Sequence, residues 1–407
     1  MENDKILKLK ELELNSLLEV TQAINLNLAE DALYKIFNFT LRANLNIGKV
    51  ALFVFDNTWQ CKVNFGTKED FCQIGLNKEI LRTKEILYVK DRFKNTPFEE
   101  FDVLIPVMHK DKILAQVFVG DIKNLINGNY SGDSSDITFL QALINIIIVA
   151  IENKRLARRE LQQEAMRKEL EIAKTVQTLL FPKKLPYNHN LKIAADYLPH
   201  HSVGGDYYDF IEINEDEFLL CIADVSGKGV PAAILMSNFQ ATLRTLIRQS
   251  TYLPQVVREL NHTILQNSNG ESFITFFICI YNKATNKLTY INAGHNPPIL
   301  IDEENKLRYL EKGTTILGAF HPLPFVNEYC IENLKNFLLF AYTDGLVEIP
   351  NEEDELFESE RLAEFVFEKK ELDLKILHTR LIDHINEYKG FSELKDDITL
   401  ISCRFNS

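Results

Sequence analysis

Aspartate follows an apolar strand, or lies beside a turn, in four short segments of the C-terminal half of the chain. The segments are "GGDYYDF" with Asp206 and Asp209, "IADVSGKG" with Asp224, "YTDG" with Asp344, and "KDDITL" with Asp396 and Asp397. Strands of one sheet can bring their ends together, and carboxylates that converge repel one another and raise their pKa values. Hard divalent cations relieve this repulsion because Mg²⁺ and Mn²⁺ prefer oxygen ligands. The spacing therefore predicts a divalent metal site.

The chemistry that such a site supports is hydrolysis of a phosphate ester. Metal ions held by carboxylates lower the pKa of a bound water and offset the charge of a phosphate and its leaving oxygen. No set of His and Cys has zinc spacing, and no cysteine lies in a loop suited to a phosphocysteine intermediate. Asp before Gly is also a common turn signal, so the prediction depends on four such motifs in one region.

The composition is that of a globular chain with more than one domain, since 407 residues exceed one typical domain. A formal net charge of −13 argues against a nucleic-acid partner, which requires a basic face. The six cysteines are scattered without a CxxC pair, as in a reducing compartment. The N-terminus has no signal-peptide core, and the most apolar window, 139–151, is shorter than a membrane span. We expect a cytoplasmic protein with no membrane span.

Residues 1 to about 133 mix helical and strand patterns. Apolar residues at helical spacing run from 17 to 45 with a break near Asn27, and residues 49–56 predict a strand. Residues 101–121 predict a hairpin with "HKDK" as its turn. Helices packed on an antiparallel sheet would give an α+β module.

One long helix is predicted from residue 134 to about 181. Ser134, Ser135 and Asp136 can cap its start, and Pro182 and Pro186 end it. Apolar residues recur every seven positions in two registers, Ala165–Ile172–Leu179 and Met166–Ala173–Leu180. This recurrence predicts a stripe that pairs with another helix. The alternative is a single charged helix that lies on its own domain.

Residues 190–407 are rich in strand patterns, with helical stretches at 231–249 and 359–388 between them. The strand segments are "LKIAADYLP", "EFLLCIAD", "FITFFICIYN", "KLTYINAG", "PPILID", "NFLLFAYTDG" and "DITLISCRF". Many hairpin-like strands with a few helices predict an antiparallel sheet core with helices on its faces.

Five segments of this third region resemble, in order and spacing, the SpoIIE-type branch of the PPM metal-dependent serine/threonine phosphatases. They are "SVGGDYYDF", "IADVSGKGVPAAILMS", "FITFFICIYNKATNKLTYINAGHNPPILI", "FAYTDGLVEIPNEEDELF" and "DDITLISCRF". The preceding "ELEIAKTVQTLLFPKKLP" resembles the segment before the catalytic domain in bacterial members that control sigma factors. The resemblance covers about residues 170–405. It implies a β-sandwich flanked by helices, with the metals at one end.

The resemblance also implies a ligand set for two divalent metal ions, Mn²⁺ or Mg²⁺. Asp224 resembles the carboxylate that bridges both ions. Asp206 and the backbone carbonyl of Val225 match ligands on one side of the pair. Asp344 and Asp396 match ligands of the other ion. The four aspartates are therefore the expected catalytic residues.

Several residues close to these motifs receive no catalytic role. Asp209 and Asp397 stay open between a place behind the ligands and a simple turn residue. His295, in "NAGHNPP", is expected to hydrogen-bond locally in a turn rather than to act as a general acid. Lys228 and Arg244 are assigned no role.

The first region resembles a GAF domain from "LLEVTQAINLNLAEDALYKIFNFTLRANLNIGKVALFVFD" onward. The expected architecture is α+β: a GAF-like α/β sensor at 1–140, a coiled-coil-like helical linker at 141–185, and a SpoIIE-type PPM phosphatase domain at 186–407. GAF domains bind small molecules or dimerise, and the ligand stays unknown. A signal at the sensor is expected to change helix pairing in a homodimer formed through the sensor and the linker, and so to reposition the helix at 231–249.

The substrate implied by the resemblance is a phosphoserine or phosphothreonine on a STAS-domain, anti-anti-sigma protein. Two other classes stay open. One is a catalytically inactive module that binds a phosphoprotein, which stoichiometric binding without turnover would reveal. The other is a nucleotidyl cyclase, because "GGDYYD" resembles the GGDEF signature, although the Glu-Phe pair is absent. Formation of a cyclic nucleotide would reveal it.

Overall fold

The computed structural model describes residues 2–89, 92–109, 111–122, 134–200, 202–392 and 394–407. The chain divides into two compact units, Met1–Glu164 and Ala165–Ser407. A single long helix, Ser134–Thr178, carries the chain from the first unit into the second. Both units combine helices with antiparallel sheet, as expected for an α+β protein.

The first unit is built on a five-stranded antiparallel sheet with the strand order β2-β1-β5-β4-β3. Its elements are α1 (Glu2–Asn25), α2 (Glu30–Phe39), β1 (Ile47–Asp56), β2 (Thr58–Phe65), α3 (Lys78–Arg82), β3 (Leu87–Tyr88), β4 (Val103–His109), β5 (Lys112–Ile122) and the start of α4 (Ser134–Thr178). One face of the sheet packs with α1, α2 and α4 in a single apolar core. A cluster rich in phenylalanine covers the other face.

The predicted local features of this unit are largely present. The break between α1 and α2 falls at Asn27, whose φ of 53° lies in the left-handed region that asparagine tolerates. The strand at 49–56 and the hairpin at 101–121 are both found, as β1 and as β4 with β5. Lys110 in the hairpin turn, and the side chains that were predicted to cap α4, lie outside the described residues.

The helix α4 is the long helix that the sequence predicts, although it ends at Thr178 rather than near residue 181. Within the described residues, its segment Ile137–Thr178 is long and apolar enough by composition to cross a membrane, with a mean hydropathy of 1.5 over its most apolar 18 residues. Apolar side chains from Leu140 to Ile151 are buried in the core of the first unit. A core helix passes the same test of length and composition.

The second unit contains two antiparallel sheets that pack face to face. After the end of α4, its elements are β6 (Leu191–Leu198), β7 (Tyr207–Glu212), β8 (Glu217–Val225), α5 (Val230–Gln249), α6 (Leu253–Ser268), β9 (Ile274–Asn282), β10 (Lys287–Ala293), β11 (Ile299–Asp302), β12 (Leu307–Tyr309), β13 (Gly313–Thr314), β14 (Tyr329–Ile331), β15 (Phe337–Tyr342), α7 (Asp344–Val347), α8 (Ser359–Glu368), α9 (Leu374–Lys389) and β16 (Ile398–Phe405). One sheet has the order β13-β10-β9-β8-β7, with β14 beside β10, and the other has the order β12-β11-β15-β16-β6. The short contact between β10 and β13 is parallel.

Alternation along the central strands builds three apolar layers. Alternate residues of β8 and β9 face the other sheet or face α5 and α6. In the same way β15 and β16 face inward or toward α8 and α9. A strand buried on both faces reads as a continuous apolar run rather than an alternating one, which is the pattern of the quoted strand segments. The predicted β-sandwich flanked by helices is confirmed.

The structure corrects one local expectation for this unit, adds one helix, and decides between the two interpretations left open for Asp209. The stretch 359–388 is two helices, because residues 369–373 leave the helical conformation and the Asp373 side chain accepts a hydrogen bond from the Lys375 amide at the start of α9. The helix α6 had no counterpart among the predicted stretches. The segment "YYDF" lies inside β7, so Asp209 is a strand residue and not a turn residue.

Candidate metal centre and active site

Asp206 lies at the end of the connection from β6 to β7 and is only 2% exposed. Its Oδ2 accepts hydrogen bonds from Thr343 Oγ1 at 2.9 Å and from Thr399 Oγ1 at 2.5 Å. Thr343 immediately precedes Asp344, and Thr399 lies just after the "DD" of "DDIT". The first acidic motif is thus tied to the strand ends that carry the third and the fourth.

The third and fourth motifs also pack directly on each other. The amide of Thr343 donates to the carbonyl of Thr399 at 3.1 Å. Any side chain at Gly345 would overlap the backbone carbonyl of Asp397, so this approach requires glycine. Asp344 then begins the short helix α7. Because β15 and β16 are antiparallel neighbours, "TDG" at the end of one strand lies beside "DDIT" at the start of the other.

Asp224 lies next to the last residue of β8, at the same end of the sandwich. Burial raises the pKa of Asp224 to about 7, the charge of Asp344 adds to the rise, and a hydrogen bond with Asp206 partly offsets it. Asp396 also raises the pKa through its charge. The neighbouring carbonyl of Val225 lies close to Gly205, where an added Cβ would be 2.8 Å from its oxygen. The structure therefore brings the four predicted aspartates and Val225 into one neighbourhood.

The pKa values of the other carboxyls show the same mutual repulsion. Burial raises the pKa of Asp206 well above its ordinary value, and the charge of Asp224 raises it further, against the hydrogen bonds from the two threonines. The pKa of Asp344 is raised by burial and then by the charges of Glu348 and Asp396. A cation in this neighbourhood would favour the ionised forms.

The donor set fits a hard divalent cation, because it consists of carboxylate and carbonyl oxygens. In the described part of the chain, no three His, Cys, Asp or Glu side chains already converge tightly enough to hold one ion. Asp396 is instead paired with Lys228 at 2.7 Å, and both side chains are 43% exposed. The sequence did not suggest this contact for Lys228. An ion bound at Asp396 would have to replace Lys228 as the partner of the carboxylate.

Asp397 acts behind the candidate ligands. Its Oδ1 accepts from the amide of His200 at 2.7 Å, and its Oδ2 accepts from the amide of Gly205 at 3.0 Å. Both amides belong to the β6–β7 connection that ends in Asp206. The sequence left Asp397 open between a place behind the ligands and a simple turn residue. The structure favours the first, because Asp397 supports the β6–β7 connection, here called the ligand loop.

Asp209 is bound to the helix that follows the Asp224 turn. Its carboxylate is fully buried and accepts from Arg244 of α5 through Nε at 2.7 Å and Nη2 at 2.9 Å. The hydroxyl of Tyr207 donates to the same carboxylate, and this carboxylate raises the pKa of Arg244. Such a two-pronged pair fixes orientation as well as charge. The pair joins β7 to α5, and no sequence spacing indicated it.

His295 lies in the predicted turn and is 4% exposed. Its Nδ1 is 2.8 Å from Thr275 Oγ1, and its amide donates to Asn292 Oδ1 at 2.8 Å. Burial lowers the pKa of the His295 imidazole to about 3, so the ring is neutral near pH 7. Thr275 is paired with Asp224 across β8 and β9. His295 therefore makes local hydrogen bonds behind the site, in the manner expected from the sequence.

Comparison with known proteins places the second unit in a known class. A family described as "Stage II sporulation protein E (SpoIIE)" matches residues 214–406. Phosphoserine phosphatase RsbU of Bacillus subtilis is 31% identical over 247 residues, which are 60% of this chain and 72% of RsbU. Protein IcfG of Synechocystis is 27% identical over 335 residues, which are 74% of this chain and 51% of IcfG. The chain thus spans about half the length of IcfG.

The SiaA-PP2C domain of Pseudomonas aeruginosa has a similar fold, with a TM-score of 0.54 and 19% identity over 60% of this chain and 99% of that domain. The family match and the relatives, together with the fold, define a serine/threonine protein phosphatase of the PPM class, whose members depend on Mg²⁺ or Mn²⁺. Within that class, the chain belongs to the SpoIIE family. The matched family segment includes Asp224, Asp344 and Asp396 but begins after Asp206. The GAF-like identity of the first unit stays a prediction.

Proposed function

We propose that the protein hydrolyses phosphoserine or phosphothreonine on a STAS-domain, anti-anti-sigma protein in bacterial sigma-factor signalling. Two divalent ions, Mn²⁺ or Mg²⁺, would be held by Asp206, Asp224, Asp344, Asp396 and the carbonyl of Val225. The observation that carries the proposal is the shared neighbourhood of these carboxylates, in which burial and Asp344 raise the pKa of Asp224 to about 7. The name of the relative RsbU, a phosphoserine phosphatase, supports the substrate class.

The chain's own residues would prepare this site in two ways. Asp224 lies in the electrostatic reach of both Asp206 and Asp344, which suits a carboxylate that serves two ions. Thr343 and Thr399 fix the orientation of Asp206 through their hydroxyls. When bound, the ions would supply hydroxide near neutral pH and offset phosphate charge.

The experiment that tests this function measures phosphate release from a phosphoserine-bearing STAS-domain protein by the full-length chain, with Mn²⁺, with Mg²⁺ and with chelator. We expect catalytic amounts of the protein to release phosphate, and we expect this release to require the metal. Stoichiometric binding without release would instead favour a phosphoprotein-binding module. Conversion of a nucleoside triphosphate to a cyclic nucleotide would favour a cyclase.

The same proposal includes a cytoplasmic sensor–transmitter–phosphatase arrangement: a GAF-like sensor at 1–140, a linker at 141–185 that pairs in a homodimer, and the phosphatase domain at 186–407. Support comes from the first apolar register, in which Ile172 of α4 is 66% exposed and Leu179, one residue beyond the end of α4, is 61% exposed. Leu180, in the second register, packs against the core that includes α5. The first register is therefore the better candidate for pairing.

The pairing can be tested with Ile172→Glu, and with Glu169→Lys as a control at an exposed polar position of the same helix. Sedimentation velocity should show a dimer for the parent protein and the control, and a monomer for Ile172→Glu. A monomeric parent protein would contradict the proposed pairing.

A further inference from the structure

Gln177, one residue before the end of α4, is buried, with 5% exposure. Its Nε2 donates to the carbonyl of Gly204 at 2.7 Å, and its Oε1 accepts from the amide of Gly204 at 3.3 Å. One side-chain amide thus satisfies both backbone polar groups of a single glycine. Buried backbone groups need such partners, because leaving them unpaired costs free energy.

Gly204 lies two residues before Asp206, in the connection between β6 and β7. A side chain at Gly204 would overlap the carboxylate of Asp397 and the hydroxyl of Tyr197. The next residue, Gly205, donates its amide to Asp397 at 3.0 Å. The segment that precedes Asp206 is therefore held by hydrogen bonds from both Gln177 and Asp397.

The position of Gln177 is itself fixed by contacts just beyond α4. Gln240 of α5 donates to the carbonyl of Leu180 at 3.2 Å. The ring of Phe181 lies 5.1 Å from the ring of Tyr197 and 4.9 Å from that of Tyr208. The last turn of α4 is thus anchored both to α5 and to the strands that flank the ligand loop.

We infer that Gln177 is a positioning residue of the active site: its amide clamps Gly204 so that Asp206 is held ready to bind metal. This inference rests on the proposed metal-dependent phosphatase function. The side chain must donate and accept at once, which a carboxylate cannot do. An ionised glutamate at this position would still accept from the Gly204 amide, but its second oxygen would face the Gly204 carbonyl as a second acceptor and leave that carbonyl without a donor.

The first test compares the full-length parent protein with Gln177→Glu and with Gln177→Asn, which keeps the amide but shortens its reach. Gln163→Glu, at an exposed position of the same helix, is the matched control. The Mn²⁺ concentration that gives half-maximal hydrolysis of para-nitrophenyl phosphate, and the Mn²⁺ dissociation constant from calorimetry, should rise roughly 10–100-fold in both Gln177 variants. The control should match the parent protein.

The pH profile separates positioning from loss of packing. A protonated glutamate carries one donor and one acceptor, so it can reproduce both hydrogen bonds of glutamine. The ratio of Mn²⁺ midpoints between Gln177→Glu and the parent should therefore fall toward one as the pH is lowered from 8 to 5. Gln177→Asn should keep a constant ratio. The titratable groups that face this segment, Asp397, Tyr197 and His200, are common to all the proteins and cancel in the ratio.

Each outcome bears on a different claim. A parent protein that binds Mn²⁺ and turns over substrate, with folded Gln177 variants of unchanged Mn²⁺ midpoint at every pH, overturns the inference alone. The same defect in Gln177→Glu at pH 5 and at pH 8 also overturns it, since packing would then explain the loss. A parent protein without Mn²⁺ binding or Mn²⁺-dependent turnover overturns the proposed function, and the inference with it. If Gln177→Glu does not fold, the midpoint of Gln177→Asn decides.

Discussion

The hydroxyl of Thr399 donates a 2.5 Å hydrogen bond to Asp206, which links two residues 193 positions apart in the chain. Thr343 makes a second hydrogen bond to the same carboxylate oxygen, and its hydroxyl in turn accepts from the Thr399 amide at 2.9 Å. Two strands of one sheet thus hold an acid that belongs to the connection between β6 and β7. The hydrogen bonds orient the carboxylate while burial and Asp224 raise its pKa.

Thr399→Val removes this hydroxyl while keeping the shape of the side chain. The Asp206 carboxylate then loses one of the two hydroxyl donors that orient it for metal binding. We therefore expect the Mn²⁺ concentration for half-maximal turnover to rise roughly 10–100-fold. The free energy of unfolding should fall by about 1 kcal/mol. Titration of activity with Mn²⁺ measures the first effect, and Thr285→Val in the exposed β9–β10 turn is the control. An unchanged Mn²⁺ midpoint would show that the hydrogen bond does not prepare the site.

Metal-free protein should lose stability as the pH rises. The pKa of Asp224 in the folded state is about 7, above its ordinary value of 3.8, so the folded state binds the proton more tightly than the unfolded state. The free energy of unfolding should therefore begin to fall near pH 4 and continue to fall as the pH rises through about 7. In chelator, Asp224→Asn should remove the part of this slope that Asp224 contributes, while the raised pKa values of Asp206 and Asp344 should preserve the rest. Added Mn²⁺ binds the ionised carboxylates, so its stabilising effect should grow with pH. Urea unfolding at several pH values measures this, and an unchanged slope in Asp224→Asn would contradict it.

His295 should make the protein less stable as the pH falls, which is opposite in direction to the effect of Asp224. Burial lowers the pKa of its imidazole to about 3 in the folded state, so the unfolded state binds the proton more readily. The stability that the neutral ring contributes is complete above about pH 6.5 and is lost as the pH falls toward 3. His295→Gln should unfold with a weaker loss of stability between pH 6.5 and 4 than the exposed control His189→Gln. Equal pH dependence in the two variants would exclude a buried neutral His295.

The pair formed by Asp209 and Arg244 should stabilise the junction of β7 and α5. Arg244→Ala leaves a fully buried carboxylate without its charged partner and with only the Tyr207 hydroxyl of the partners described above, which should cost about 3 kcal/mol, near the lower bound for buried pairs because Arg244 is 38% exposed. Arg248→Ala, on the exposed side of the same helix, should change the free energy of unfolding by less than about 0.5 kcal/mol. The double variant Asp209→Leu with Arg244→Leu should be less destabilised than Arg244→Ala. The double-mutant cycle compares Asp209→Leu, Arg244→Leu and the variant with both changes. Additive losses in the free energy of unfolding would refute the pairing.

The sequence predicted the acidic site because each ligand candidate follows or precedes a long apolar run. Such a run indicates a buried strand, so the aspartates could be placed at strand ends from the sequence alone. It did not predict the partners of these residues. Gln177, Arg244 and Asp397 act through contacts with residues that lie far away in the chain, and one sequence contains no signal for such pairs. The break after α8 was missed because a five-residue gap between amphipathic helices hardly interrupts their apolar spacing.

The most direct test of the central claim is calorimetric titration of full-length protein with Mn²⁺, paired with hydrolysis of para-nitrophenyl phosphate. Asp224→Asn is the test variant, and Asp216→Asn in the exposed β7–β8 turn is its control. The account predicts two Mn²⁺ per chain and Mn²⁺-dependent turnover in the parent and the control, with metal affinity and turnover both lost in Asp224→Asn. Full Mn²⁺ binding and turnover in Asp224→Asn, or no Mn²⁺ binding by the parent, would contradict it.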